Sequence, residues 1–297
     1  MHLVTRAALG LAGIGAAGLA YSAGYEVRSF RLRRVAVPVL PAGQPPLTIL
    51  QVTDLHMTPG QHRKQEWVRS LATLKPDLVL DTGDNLAHLE AVPSVLYALE
   101  PLLELPGAFV FGSNDFFAPV PKNPARYLLP DDDSRRGDGV DLPWHDLRDG
   151  MRSAGWADLT NARGRVKVGT REIELVGVDD PHVWRDRYDK VAGPGSADAD
   201  LSLGVVHAPY HRVVDRMAAD GLPLVLAGHT HGGQLRVPFY GALVSNCDLD
   251  PKRARGLSRH TDSTLLHVSA GLGTSPYTPV RFACPPEATL LTLVARD

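Results

Sequence analysis

Five apolar runs in this sequence end in residues that bind metals or move protons. LTILQVT leads into Asp54-Leu55-His56, LVLDTG into Asp84-Asn85, and AFVFGS into Asn114-Asp115. LSLGVV leads into His207, and LVLAG into His229-Thr230-His231. Asp and Asn oxygens with imidazole nitrogens, and no thiolate, suit first-row divalent metals: Mn, Fe, Zn or Co, with manganese favoured. Calcium fits poorly because it takes all-oxygen shells. Asp54, His56, Asp84, Asn114, His207, His229 and His231 are too many ligands for one ion and about right for two ions sharing a carboxylate. Two such ions, about 3.5–4 Å apart, clamp an in-line displacement at phosphorus.

These residues act together only if the elements before them converge. Leu47–Val52, Leu78–Leu80 and Ala108–Phe111 read as buried strands, as do Leu201–Val206 and Leu224–Ala227. Further strands are expected at Arg171–Val178, Leu265–Val268 and Ala288–Val294. Helical spacing covers Gln61–Leu74, Ser94–Leu105 and Trp144–Ala154. Strands alternating with helices indicate an α/β fold. In open α/β sheets ligands bind at the carboxyl ends of the strands, where all five motifs sit. Residues 119–139 are polar and too long for a default connection.

The set D-L-H, G-D-N, S-N-D, an isolated His and G-H-T-H resembles the calcineurin-like metallophosphoesterase superfamily over about 47–294. The longer G-H-T-H-G-G-Q, with Gly271-Leu272-Gly273-Thr274-Ser275 and Arg281-Phe282 downstream, is similar to its bacterial membrane-anchored phosphodiesterase branch. The resemblance implies a two-sheet β-sandwich flanked by helices, a four-layer αββα arrangement. It implies one metal on Asp54, His56 and His231, a second on Asn114, His207 and His229, and Asp84 bridging them. A metal-bound hydroxide would be the nucleophile.

One position departs from the superfamily pattern, which usually reads G-N-H-[DE] with the His protonating the leaving group. Here Asp115 follows Asn114. Asp115 either acts as general acid with a raised pKa or only hydrogen-bonds. Alternatively, the leaving group is already stable as an anion, which favours phosphoanhydrides or activated diesters. Aligning the glycines would make Ser113 the ligand. That register is rejected because a neutral hydroxyl is a poorer donor than an amide oxygen. Asn114, Asp115 and His207 are thus the catalytic candidates. Arg236 and Arg281 carry donors suited to phosphate oxygens or to a surface ion pair. His88 can approach substrate or cap a helix. Asp180, with His182 in GVDDPH, can face the site or start a turn. His211, His260 and His267 are assigned to structure. Phe116, Phe117, Tyr127, Leu128 and Leu129 can form an apolar wall for a lipid tail, dip into the membrane interface, or form a folded lid packed on the domain.

The chain has 297 residues, 44% hydrophobic and 22% charged, which is enough for a large core. Its net charge of −2 supplies no basic surface for nucleic acid. Cys247 and Cys284 do not have metal-site spacing, and whether they pair is open. Ala7–Tyr25 carries no charge and is at the short end of the roughly 17–25 residues that span a bilayer. Residues 1–35 are read as a membrane anchor or a signal segment cleaved after Ser22. Residues 36–46 are read as a Pro-rich linker, and 47–297 as the catalytic domain. With the anchor kept, the heavier basic flank after it favours the cytoplasmic side; with it cleaved, the protein is exported.

These readings converge on a dinuclear-metal hydrolase of phosphodiester or pyrophosphate bonds. The anchor adds the expectation of a phosphate-containing, lipid-linked or envelope substrate. The competitors are a phosphomonoesterase or protein phosphatase, and a catalytically weak metal-binding scaffold. The sequence does not fix the oligomeric state.

Overall fold

The computed structural model describes residues 13, 15–121 and 139–296. Two six-stranded sheets pack face to face. The first runs, in spatial order, β1 (Arg31–Leu40), β14 (Glu287–Ala295), β2 (Leu47–Val52), β3 (Leu78–Asp81), β4 (Gly107–Phe109) and β5 (Ala157–Asp158). The second runs β12 (Gly256–Arg259), β13 (Leu265–Val268), β9 (Leu224–Ala227), β8 (Leu201–Val205), β7 (Arg171–Gly177) and β6 (Ala162–Val168). Both are mixed: β2–β5 and β7, β8, β9 and β13 run parallel, while β14 against β2, β12 against β13 and β6 against β7 are antiparallel. A small hairpin, β10 (Arg236–Val237) and β11 (Gly241–Ala242), stands apart.

Side-chain alternation makes the layers. On β2, Ile49 enters the core between the sheets and Leu50 the outer core. On β9, Leu224 and Leu226 face the opposite sheet while Val225 and Ala227 face outward. Beyond the first sheet lie α1 (His62–Ser70), α2 (Val92–Leu103) and α4 (Trp144–Ser153), which bury Val68, Val95, Leu99 and Leu147. Beyond the second lies α5 (His211–Ala219), with Val213, Val214 and Met217 inward. This is the expected αββα arrangement. A buried polar crosslink joins the two sheets. His267 Nδ1 on β13 meets Gln51 Oε1 on β2 at 2.8 Å, and Gln51 Nε2 donates to the Ala227 carbonyl at 2.9 Å. It ties the sheets together just below the motif-bearing strand ends.

The N-terminal boundary is drawn differently from the expectation. Arg31–Leu40 spans the end of the expected anchor segment and half of the expected linker, yet it is a ten-residue strand parallel to β14. Pro38 hid it. The missing N–H is tolerated because β1 is an edge strand, and the register shifts between Pro38 and Leu40. Residues 15–20 are helical and continue into a π-turn, Tyr21–Tyr25, and a 3₁₀ turn, Glu26–Arg28. Among the described residues no helix is long and apolar enough to cross a membrane. Tyr127, Leu128 and Leu129 lie outside the described residues, as does most of Ala7–Ile14.

Candidate metal centre

The five motif loops meet at the carboxyl ends of β2, β3, β4, β8 and β9. The third strand of this group, β4, feeds α3 (Ser113–Phe116), a single turn that carries Asn114 and Asp115. Two imidazole pairs face each other across one carboxylate. His56 Nε2 and His231 Nε2 are 3.2 Å apart, and His229 Nδ1 and His207 Nε2 are 3.3 Å apart. Asp84 lies between the pairs: Oδ2 is 3.5 Å from His56 Nε2, and Oδ1 is 3.4 Å from His207 Nε2. Asp54 Oδ1 lies 3.6 Å from His231 Nε2 on the first side, and the Asn114 amide reaches Asp84 Oδ2 at 2.7 Å.

The arrangement fits divalent cations. Asp54 Oδ1 is buried without a hydrogen-bond partner although it points at imidazoles. Buried polar atoms normally find partners, and an orphan inside a histidine cluster is what a ligand atom looks like. Asp54, His56 and His231 form one potential metal-holding group and Asp54, Asp84 and His207 another. Burial holds the His56 imidazole down at about 4, so it is neutral near pH 7 with a lone pair to give. Backbone carbonyls fix three of the rings: His207 Nδ1 donates to Thr82 O, His231 Nδ1 to Gly273 O, and His229 Nε2 to Asn246 O. Each leaves its other nitrogen aimed inward, the way outer partners orient metal-binding imidazoles.

The backbone is bent to achieve this. Asp54, His56, Asp84, His229 and His231 all have positive φ, between 39° and 71°. Left-handed non-glycine residues are uncommon and gather at functional sites. Gly112 permits a close approach: a Cβ there would strike the Asp84 carboxylate and sit 2.6 Å from the His207 ring.

The remaining sequence candidates settle elsewhere. Asp115 is fully buried and turned away from the site, accepting N–H bonds from Asp84, Asn85, Leu86 and Gly112 at 2.7–3.2 Å. Burial and the neighbouring Asp84 carboxylate push its carboxyl well up, against the pull of these donors. Two backbone N–H groups engage each oxygen, so neither is free to face the site. Of the two readings of Asp115, the hydrogen-bonding one matches this geometry: it clamps the Asp84 loop to the Asn114 turn. Arg281 is not a substrate grip either. It is fully buried, and its guanidinium donates to the carbonyls of Ala270, Gly271, Gly273 and Cys284. Arg236 donates to Gly232 O at 2.8 Å, bracing the G-H-T-H-G-G turn. His88 is exposed and accepts from the Glu90 N–H. Asp180 is fully buried; Oδ1 accepts from the His182 N–H, and burial lifts its carboxyl to about 7. None of Asp115, Arg281, Arg236, His88 and Asp180 lines the cavity above the centre.

His182 does line it, with its ring centroid 4.5 Å from that of His229 and Nδ1 2.9 Å from the Tyr210 hydroxyl. Lys64, unlike His182, gives no sequence signal. It is buried on α1, and Nζ donates to Leu55 O at 2.6 Å and Gln61 Oε1 at 2.9 Å, bracing the Asp54–His56 loop. The cavity holds about 530 Å³. His56, Asp84, Asn114, His229 and His231 form its floor, and Leu19, Phe117, Val120, Leu235, Leu243 and Val280 form an apolar wall. Cys247 and Cys284 are not joined in a disulfide.

The description of a calcineurin-like phosphoesterase family matches residues 47–233. Phosphodiesterase YaeI of Escherichia coli (strain K12) is 29% identical over 224 residues, covering 74% of this chain and 71% of that one. YpbG of Bacillus subtilis (strain 168) is 28% identical over 256 residues, covering 84% and 82%. Among solved structures, a dimetal phosphatase from Danio rerio is similar at 12% identity and a TM-score of 0.41, covering 77% of this chain and 88% of that one.

Proposed function

The chain belongs to the calcineurin-like phosphoesterase family and is a metal-dependent phosphoesterase; from that premise we propose that it cleaves phosphodiester or pyrophosphate bonds in a substrate that also carries an apolar group. The observation that carries the two-metal part is the Asp84 carboxylate, with one oxygen toward His56 and the other toward His207. Asp54, His56 and His231 would hold one divalent cation, Asn114, His207 and His229 the other, and Asp84 both. The cations supply Lewis acidity and a nucleophile available near neutral pH.

The protein residues set the geometry. Asp54 is fixed by the Thr53 hydroxyl and the His229 N–H, at 2.9 and 3.1 Å. The inward ring nitrogens of His207, His229 and His231 are fixed by the carbonyls behind them. With Asp115 turned inward, no carboxylic acid from that turn reaches a departing oxygen. This favours leaving groups stable as anions, as in diphosphates and activated diesters, over alkyl monoesters. The apolar wall excludes water on one side of the phosphorus, which supports an amphipathic, lipid-linked phosphate as substrate, and the uncharged N-terminal run supports attachment at a membrane.

The test compares a bis-aryl phosphodiester, the matching aryl monoester and a nucleotide pyrophosphate with Mn²⁺ added, alongside Asp84→Ala. The proposal expects diester or pyrophosphate turnover that the variant loses. Monoester turnover exceeding both would overturn it in favour of a phosphatase.

A further inference from the structure

Exposed large apolar side chains are concentrated on one rim of this molecule. Of the fourteen among the described residues, ten lie in the segments 19–25, 235–243 and 277–282. The segments touch one another. Tyr21 packs edge-on against Phe282 at 6.3 Å, Leu235 bridges to Phe282, and Gln234 Nε2 donates to Thr278 O. They also surround the cavity mouth, since Leu19, Leu235, Leu243 and Tyr277 all line it. A soluble surface seldom gathers so much apolar area in one place without a partner.

The β10–β11 hairpin is the most exposed part of this rim. At its tip Phe239 has a relative exposure of 110% and φ of +66°, and Tyr240 beside it is also exposed. A bulky aromatic in left-handed backbone costs on the order of 1 kcal/mol or more. Among the described residues its side chain is fully exposed.

The occupant is indicated by what is fastened to the same rim. The uncharged run Ala7–Tyr25 ends there. Its last turns are tied to the domain: the Arg281 N–H donates to Ser22 O at 3.2 Å, and the Cys284 N–H to the buried Glu26 carboxylate at 2.5 Å. A run that entered a bilayer would therefore bring this rim, and no other face, against the lipid. Phe and Tyr side by side at a projecting tip suit the boundary between headgroups and acyl chains.

We infer that the β10–β11 hairpin, with Phe239 and Tyr240 at its tip, inserts into the bilayer interface and sets the mouth of the metal cavity against the lipid surface. This rests on the membrane attachment proposed above, not on which bond is cleaved. Lipid-borne phosphates could then enter along the apolar wall without crossing water.

The test places a nitroxide spin label on the full chain in vesicles of phosphatidylcholine and phosphatidylglycerol. Phe239→Cys is labelled in a Cys247→Ser background, with Tyr240→Cys as a second position. Asp262→Cys is the water-facing control; it lies in the exposed turn before β13, at the opposite strand end from the site. The expected result is loss of collisions with a water-soluble nickel chelate, and gain of collisions with oxygen, at 239 and 240 but not at 262. Flotation of the same vesicles reports attachment separately. A chain that floats with 239 and 240 as wet as 262 overturns the hairpin contact alone. A chain that does not float overturns the attachment and the hairpin contact together.

Discussion

At the scale of single residues, the site depends on groups that never touch substrate. Gly112 leaves room for Asp84 and His207. Gly112→Ala is expected to abolish turnover and weaken metal binding while the protein still folds, as read by metal titration beside circular dichroism. Asp115 holds the Asp84 loop by three N–H bonds and its own turn by a fourth, from Gly112. Asp115→Asn replaces an acceptor-only carboxylate with an amide that must turn one donor toward donors, at a cost of about 1–3 kcal/mol for the unsatisfied contact. The variant should lose aryl and alkyl diester turnover by the same factor, with weaker metal affinity. A loss confined to poor leaving groups would restore Asp115 as the acid. The seven ligand candidates were legible because strand ends followed by Asp, Asn and His concentrate chemistry at one edge. The roles of Arg281, Asp180 and Asp115 were not legible. Residue type shows that a guanidinium or carboxylate can bind phosphate or move a proton, but not that backbone groups have already taken it. Lys64 and His182 were under-read for the converse reason, since only the folded chain brings Lys64 to a loop carbonyl and His182 to the cavity.

At the scale of elements, the crosslink between the sheets makes a pH-dependent contribution. His267 is fully buried, and burial holds it at about 4 against an ordinary 6.5. It is neutral in the folded protein, whereas the unfolded chain takes up a proton below about 6.5. Its contribution is therefore intact above that pH and shrinks as pH falls toward 4, by about 3 kcal/mol in all. Denaturant unfolding at descending pH should show this slope, and His267→Gln should flatten it; equal slopes would remove His267 from the account. Strands read from apolar runs were found within about two residues at each end, since fully buried strands need an unbroken apolar segment. The strands missed are those the rules penalise. Arg31–Leu40 opens with charges and holds a proline, and Ala162–Val168 alternates with arginines and lysine at the sheet edge. Such edge strands are half solvated, so their sequences resemble loops.

At the scale of the whole molecule, the fold is a sandwich whose two halves each bring ligands: Asp54, Asp84 and Asn114 from the first sheet's loops, and His207, His229 and His231 from the second's. Cations bound between them crosslink the halves. A ligand that binds only the folded form at 100 times its Kd adds about 2.7 kcal/mol. Chelation should therefore lower the melting temperature and Mn²⁺ restore it, whereas in Asp84→Ala the metal-dependent rise should be largely lost. The most direct measurement of the central claim is electron paramagnetic resonance of the chain titrated with Mn²⁺. The account predicts two ions per chain with the spectrum of an exchange-coupled pair, uncoupled or reduced to one ion by Asp84→Ala. A single ion, or two uncoupled ions in the unaltered chain, would contradict it.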